Sequence, residues 1–386
     1  MLTLLVINFR SAMIAFSERR RLTVAVFAFI VTTLLFLTLH QTHATEAIRV
    51  RIGIGQNSEN TGYSKLSNDI YRTGTGFTNG SAPFLANGKG RFAYVTFLSG
   101  TVDGPKDLEE DNYFVATRIL VWQLLHKPET RTNGIDVVVM VTPSVSESRR
   151  ARLAKDGAII HAVDFLHVEN DQWIHAAQHR WDDVTTKLRA WEMTQYSRIL
   201  MLDGDTMLRL PLDGVFDDKG AKVRQTKNQN TYTPLEGEAP LPGTYLLGSL
   251  SEVWDCTHDF PPKDDTDLKK ISKMNAGFML LAPSLPAFDY YRSLLNMTDA
   301  FDPKDPEQNL LNHAHRWDGP MPWTEVNHKW NIRCPTEKDF KKGLVSMHEK
   351  WWTQPYLYEN ENVKDFLRAQ RWEMKGWYDA WDLRYA

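Results

Sequence analysis

The chain has 386 residues, 42% of them hydrophobic and 24% charged, with a formal net charge of −3. That length holds one large domain or two ordinary ones, and that apolar content can bury a core, which excludes a wholly disordered protein. The near-neutral charge leaves no footprint for non-specific nucleic-acid binding, and two cysteines, Cys256 and Cys334, exclude a disulfide scaffold and a four-thiolate zinc site.

In chain order, Arg19, Arg20 and Arg21 stand directly before an uncharged apolar run, Leu22 to Leu39, just long enough to cross a thin bilayer. The positive-inside rule makes residues 1–21 a cytosolic tail and 22–39 a signal-anchor, with the bulk of the chain across the membrane. Thr42-His43-Ala44 is a weak cleavage site, the mark of the alternative, a removed signal peptide. Two sequons, Asn79-Gly80-Ser81 and Asn296-Met297-Thr298, weakly support the same topology. In an oxidising lumen Cys256 and Cys334 could pair, which spacing alone leaves open. Residues 40–90 are polar and the stretch Asn57 to Gly90 shows no sustained period, so 40–90 reads as a stem, and 91–386 as one lumenal domain.

Order returns at Arg91. Phe92 to Leu98 reads as a strand, Tyr113 to Leu125 as a helix, and Ile135 to Val141 as a strand covered on both faces. Ser144 and Glu147 have capping-box spacing for a helix that Gly157 closes. Ala158 to Val163 is a third strand, and Val184, Leu188 and Trp191 mark one face of a helix. Ile199 to Leu202 is a fourth strand that runs straight into Asp203-Gly204-Asp205. A second block offers a strand at Asn275 to Leu281, a helix from Ser284, and a short helix around Glu307 to His313. This alternation predicts an α/β domain with a mostly parallel central sheet and helices on both faces, in which ligands bind at the carboxyl ends of the strands.

Two carboxylates one residue apart at the end of a buried strand can face one cation, and oxygen ligands suit Mg²⁺ or Mn²⁺, which take further ligands from phosphates. Alone, such a pair is as readily a solvated turn. Asp265-Thr266-Asp267 repeats the pattern in a charged loop without a strand before it.

The stretch from Thr186-Lys187-Leu188 through Ile199–Asp205 to Leu212-Asp213-Gly214 resembles the core block of glycosyltransferase family 8, the glycogenin and galactinol synthase family. Met274-Asn275-Ala276-Gly277, Glu307-Gln308-Asn309-Leu310-Leu311-Asn312 and His348 follow in the family's order. The resemblance covers about residues 91–352. It implies a GT-A type nucleotide-diphospho-sugar transferase fold and Mn²⁺-dependent (or Mg²⁺-dependent) retaining transfer from a UDP-sugar to a glycan or glycolipid acceptor. It further implies Asp203, Asp205 and His348 as metal ligands, with Gln308 at the reacting face. Thr96, Phe97, Tyr113, Lys187, Asn275, Gly277 and Lys350 would contact the donor. With the N-terminal anchor, the expected setting is a type II protein of the Golgi membrane, and the pattern looks like the fungal N-acetylglucosaminyltransferase-type branch.

Two departures stand out. Glu307 replaces the family's Asp, and His348-Glu349-Lys350 is shorter than the family's spacing between His and Lys. The second raises the rival reading of a tethered, inactive relative. A nucleotide-sugar hydrolase is the other alternative. Eight tryptophans (Trp317, Trp323, Trp330, Trp351, Trp352, Trp372, Trp377 and Trp381) crowd the last quarter, as packing residues or as platforms for an acceptor sugar.

Overall fold

The computed structural model describes residues 90–100, 107–178, 183–227, 232–269, 272–352 and 360–384. The apolar run 22–39, the stem to residue 89 and the first sequon lie outside these. No helix among the described residues is long and apolar enough to cross a membrane.

The first strand, β1 (Phe92–Leu98), shows why the chain folds in layers. Its alternate residues Ala93 and Val95 pack with Trp191, Met279 and Tyr291 on one face. Tyr94 and Leu98 pack with Phe114, Leu120 and Leu153 on the other. Helix α1 (Asn112–Leu125) covers that second face, its start fixed by Asp111, whose carboxylate accepts the Phe114 N–H. Strand β2 (Asp136–Val141) is buried at every position, as its apolar run requires. Full burial of each such Val or Met contributes roughly 1.5–3 kcal/mol.

Helix α2 (Glu147–Lys155) follows, but not with the expected capping box. Its N-cap is Ser146, which makes no side-chain cap bond. Ser144 sits two residues earlier, where its hydroxyl accepts the Gly100 N–H at 2.9 Å and meets Thr142 Oγ1 at 2.8 Å. The loop after β1 thus claims the hydroxyl that the spacing offered to the helix. Gly157 does close the segment, at φ +103.

Strand β3 (Ile159–Ala162) precedes a 3-10 helix, Val184–Glu192, in place of the α-helix its apolar face suggested. Strands β4 (Arg198–Leu202), β5 (Thr206–Leu208), β6 (Arg224–Gln225), β7 (Thr244–Tyr245), β8 (Leu247–Ser249) and β9 (Phe278–Leu281) come next. Asn275, Ala276 and Gly277 therefore stand ahead of β9 in a turn, not within the strand. Helix α3 (Leu285–Leu295) is capped by Ser284, and α4 (Pro306–Ala314) carries Glu307 and Gln308 in its first turn. After β10 (Thr324–Glu325), α5 (Glu337–Lys341) and β11 (Ser346–His348), a long helix, α6 (Glu361–Arg384), packs against α1.

The main sheet runs β10-β8-β9-β4-β1-β2-β3. From β4 to β3 all neighbours are parallel, β9 runs antiparallel to both β4 and β8, and β10 is parallel to β8. The sheet is thus mostly parallel, with α1 and α2 on one face and α3, α4 and the 3-10 helix on the other.

Candidate active site

Strand β4 delivers Asp203 at its carboxyl end. The Asp203 N–H donates to Gly277 O at 2.9 Å, and the Thr206 N–H to Asp203 O at 3.0 Å, so the Asp-Gly-Asp segment is a turn held from both sides. Asp205 leads into β5, which pairs antiparallel with β11, setting Thr206 opposite His348. That small two-stranded sheet carries a residue 143 positions downstream to the carboxylates. Ligand atoms of Asp203, Asp205 and His348 all lie within 4.8 Å of one another.

His348 Nε2 is 3.0 Å from Asp205 Oδ1 and 3.7 Å from Asp203 Oδ2. Lys350 Nζ is 2.6 Å from Asp205 Oδ2, so the short His348 to Lys350 spacing still brings the ammonium into the site. On the far side Lys187 Nζ pairs with Asp203 and lies 3.5 Å from Glu307 Oε2. Burial opposes the Asp205 charge, but His348 and Lys350 outweigh it and hold that carboxyl well below the usual range. Burial likewise works against the Lys187 and His348 charges, and the neighbouring carboxylates overcome it, raising both groups. Glu307 goes the other way: burial pushes it up to about 7, with Lys187 opposing and Asp203 reinforcing the shift. A compact set of two carboxylates and an imidazole suits a divalent cation, and the cationic side chains crowding Asp205 show that its buried charge demands a positive partner.

These groups open on a cleft of about 570 Å³, a size that takes a small-molecule ligand. Phe97, Tyr113, Lys187, Asn275, Gln308 and Lys350 line it together with the acidic pair and His348. Gly277 lines it as well, and a Cβ there would stand 2.4 Å from His348 Cε1. Gln308 Oε1 accepts the Ala276 N–H at 3.0 Å, tying α4 to the turn before β9. Asn275 Oδ1 accepts the Gly277 N–H at 2.8 Å, and its Nδ2 donates to Glu252 Oε1 at 3.4 Å.

Thr96 is a correction. It is buried one step back from the end of β1 and does not line the cleft, which Phe97, Leu98 and Ser99 at the strand's carboxyl end do. None of the eight late tryptophans lines the cleft either. Trp323, Trp330 and Trp351 are core residues. Trp352 packs edge-on against Tyr113 at 5.1 Å, and Trp377 and Trp381 stack beside His126. Asp267 of the second Asp-x-Asp pattern accepts N–H bonds from Asp259 and Lys263, which makes that segment a loop. Sequence reasoning missed Glu252, Lys269, Lys273 and Arg333, which also line the cleft. The first three sit around a charged loop that reads as surface, and Arg333 is placed only by its parallel bridge to His348.

No protein-family model matches the chain. Among sequence relatives, an uncharacterised protein of Schizosaccharomyces pombe is 29% identical over 289 residues, covering 68% of this chain and 73% of the relative. Galactinol synthase 3 of Arabidopsis thaliana is 26% identical over 317 residues, covering 72% and 84%. Among solved structures, the galactosyltransferase LgtC in complex with donor and acceptor sugar analogs superposes loosely, with a TM-score of 0.42 and 17% identity over 71% of this chain and 94% of that one. With the motifs in their order, the galactinol synthase relatives support a glycosyltransferase of the family 8 type.

Proposed function

We propose that the chain transfers a hexosyl or N-acetylhexosaminyl group from a UDP-sugar to a glycan or glycolipid acceptor, with retention, using Mn²⁺ or Mg²⁺ held by Asp203, Asp205 and His348. The observation that carries the reading is the meeting of those three side chains in the lining of the cleft, from β4, the turn after it and β11. A bound divalent cation would neutralise charge on the diphosphate as the glycosidic bond breaks.

The chain's own residues supply the rest. Lys350 and Lys187, each now paired with one of the two ligand carboxylates, are placed to meet the diphosphate oxygens once those carboxylates turn to a cation. Phe97 and Tyr113 offer aromatic surface to the base. The turn Asn275 to Gly277, fixed by Gln308, borders the sugar. In the transfer, the bond from the anomeric carbon to the diphosphate oxygen breaks and a bond to the acceptor oxygen forms on the same face. The acceptor proton passes to the departing diphosphate. The basic-then-apolar N-terminus and the exposed Asn296 at the end of α3 support a lumenal Golgi setting for a type II protein.

The test is UDP release by the full chain from a panel of UDP-sugars with Mn²⁺. Release from one donor that stops with chelator supports the reading. Release unaffected by chelator or by Asp205→Asn would overturn the metal assignment, and free sugar formed in the presence of acceptor would make the protein a hydrolase.

A further inference from the structure

The cleft has a second charged wall. Glu252 is fixed there by its backbone: the Lys269 N–H donates to its carbonyl at 2.8 Å, and its own N–H donates to Lys273 O at 3.4 Å. Its carboxylate holds Lys269 Nζ at 3.1 Å and Arg333 Nε at 3.3 Å. Lys273 lines the same wall and makes no ion pair among the described residues. One carboxylate thus serves two cations, with a third beside them. The Lys269 and Arg333 side chains are only 31% and 23% exposed, so these cations are drawn into the cleft rather than spread in solvent.

Lys187 and Lys350 face the acidic pair, Lys187 shared between Asp203 and Glu307 and Lys350 on Asp205. Lys269, Lys273 and Arg333 take no part in those pairs, and three cations around the single carboxylate of Glu252 make this stretch of the lining locally positive.

We propose that Lys269, Lys273 and Arg333 form an anion subsite that selects an acceptor carrying a phosphate or a carboxylate. This rests on the transferase reading above, since it places the acceptor beside a bound donor. Glu252 acts as a positioning residue, holding two of the cations in a fixed array while Lys273 stays open to the ligand. Charge-assisted hydrogen bonds from such an array are short, strong and selective against a neutral analogue.

The full chain, saturated with UDP and Mn²⁺, is titrated calorimetrically with glucose 6-phosphate and, as the neutral probe, with glucose. The expected result is at least roughly tenfold tighter binding of glucose 6-phosphate, reduced about five- to tenfold by Lys273→Gln at constant ionic strength. UDP affinity at the same free Mn²⁺ is the readout that a donor role would move. Failure of glucose 6-phosphate to bind, equal binding of the two probes, or indifference to Lys273→Gln would overturn the subsite. Weakened UDP binding in Lys273→Gln would assign the wall to the donor diphosphate instead. Absence of any Mn²⁺-dependent UDP binding by the unmodified chain is a different failure, that of the transferase reading itself.

Discussion

Gly277→Ala probes the site through a single methyl group. A Cβ at Gly277 would lie 2.4 Å from His348 Cε1, 2.5 Å from His348 Nδ1 and 2.9 Å from Asn275 Oδ1. An ordinary contact is about 3.4 Å or more, so the ring must withdraw by roughly 1 Å. His348 Nε2 now sits 3.0 Å from Asp205, and that withdrawal carries it out of the cluster. The strain on the fold is that of a modest overpacking, about 1–3 kcal/mol, because a ring at the edge of a cleft can swing. Mn²⁺ affinity should fall by roughly 10–100-fold, and turnover by about 100-fold, the usual effect of a 1 Å misplacement. The assay is Mn²⁺ titration of the full chain followed by the electron spin resonance of free Mn²⁺, with thermal melting in chelator alongside. Gly376→Ala is the control: a Cβ there meets nothing within 4 Å, and in mid-helix α6 it should leave the metal site alone and stabilise the chain by up to ~1 kcal/mol. Unchanged Mn²⁺ affinity in Gly277→Ala would refute the placement of His348 as a ligand.

Asp205→Asn should abolish Mn²⁺-dependent activity and also lower the melting temperature in chelator, because the buried carboxylate anchors both His348 and Lys350; a melting temperature equal to wild type would show that these pairs carry no stability. His315 is fully buried between the Tyr291 hydroxyl and Met321 O, and burial brings its pKa down to about 4, against the pull of the Met321 carbonyl. A histidine depressed from 6.5 in the unfolded chain stabilises the fold fully above pH 6.5 and loses that contribution as pH falls toward 4, about 3 kcal/mol in all. Urea unfolding at pH 7 and pH 4.5 should show the loss, and His315→Gln should flatten it; an equally steep curve in the variant would contradict the assignment. The Cys256 and Cys334 thiols are free and interact with one another, so oxidised glutathione should convert them to an intrachain disulfide with release of two reduced glutathiones, read as two thiols lost per monomer. Two alkylatable thiols persisting after exchange would count against that pairing.

The parts of the fold legible in the sequence are those with strong local signals. The buried runs 92–98, 136–141 and 198–202 are β-rich and apolar, and Ser284 caps α3 as a hydroxyl before a periodic segment does. Asp203 and Asp205 were legible because an apolar strand delivers them. The short strands were not: β5, β8, β10 and β11 have two or three residues each and owe their form to pairing across long separations. His348 reaches the acidic pair through one such pairing, and only the family resemblance singled it out in advance. Lys350 shows the limit of spacing arguments, since a segment that looked too short still places its ammonium on Asp205. Ser144 shows the same limit for a capping box, its hydroxyl being taken by a loop that comes over forty residues earlier. The wall around Glu252 carries no motif at all; three cations and a carboxylate in polar loops become a site only when Arg333 is laid beside His348.

The claim at the centre is that Asp203, Asp205 and His348 hold one divalent cation that meets a nucleotide diphosphate. A crystal of the chain grown with UDP and Mn²⁺, measured at a wavelength where manganese scatters anomalously, tests it most directly. One strong anomalous peak is expected, bonded to both carboxylates, to His348 Nε2 and to the diphosphate, with the Lys350 ammonium moved from Asp205 to a phosphate oxygen. A structure with UDP bound, the Lys350–Asp205 pair intact and no manganese between the three side chains would contradict it.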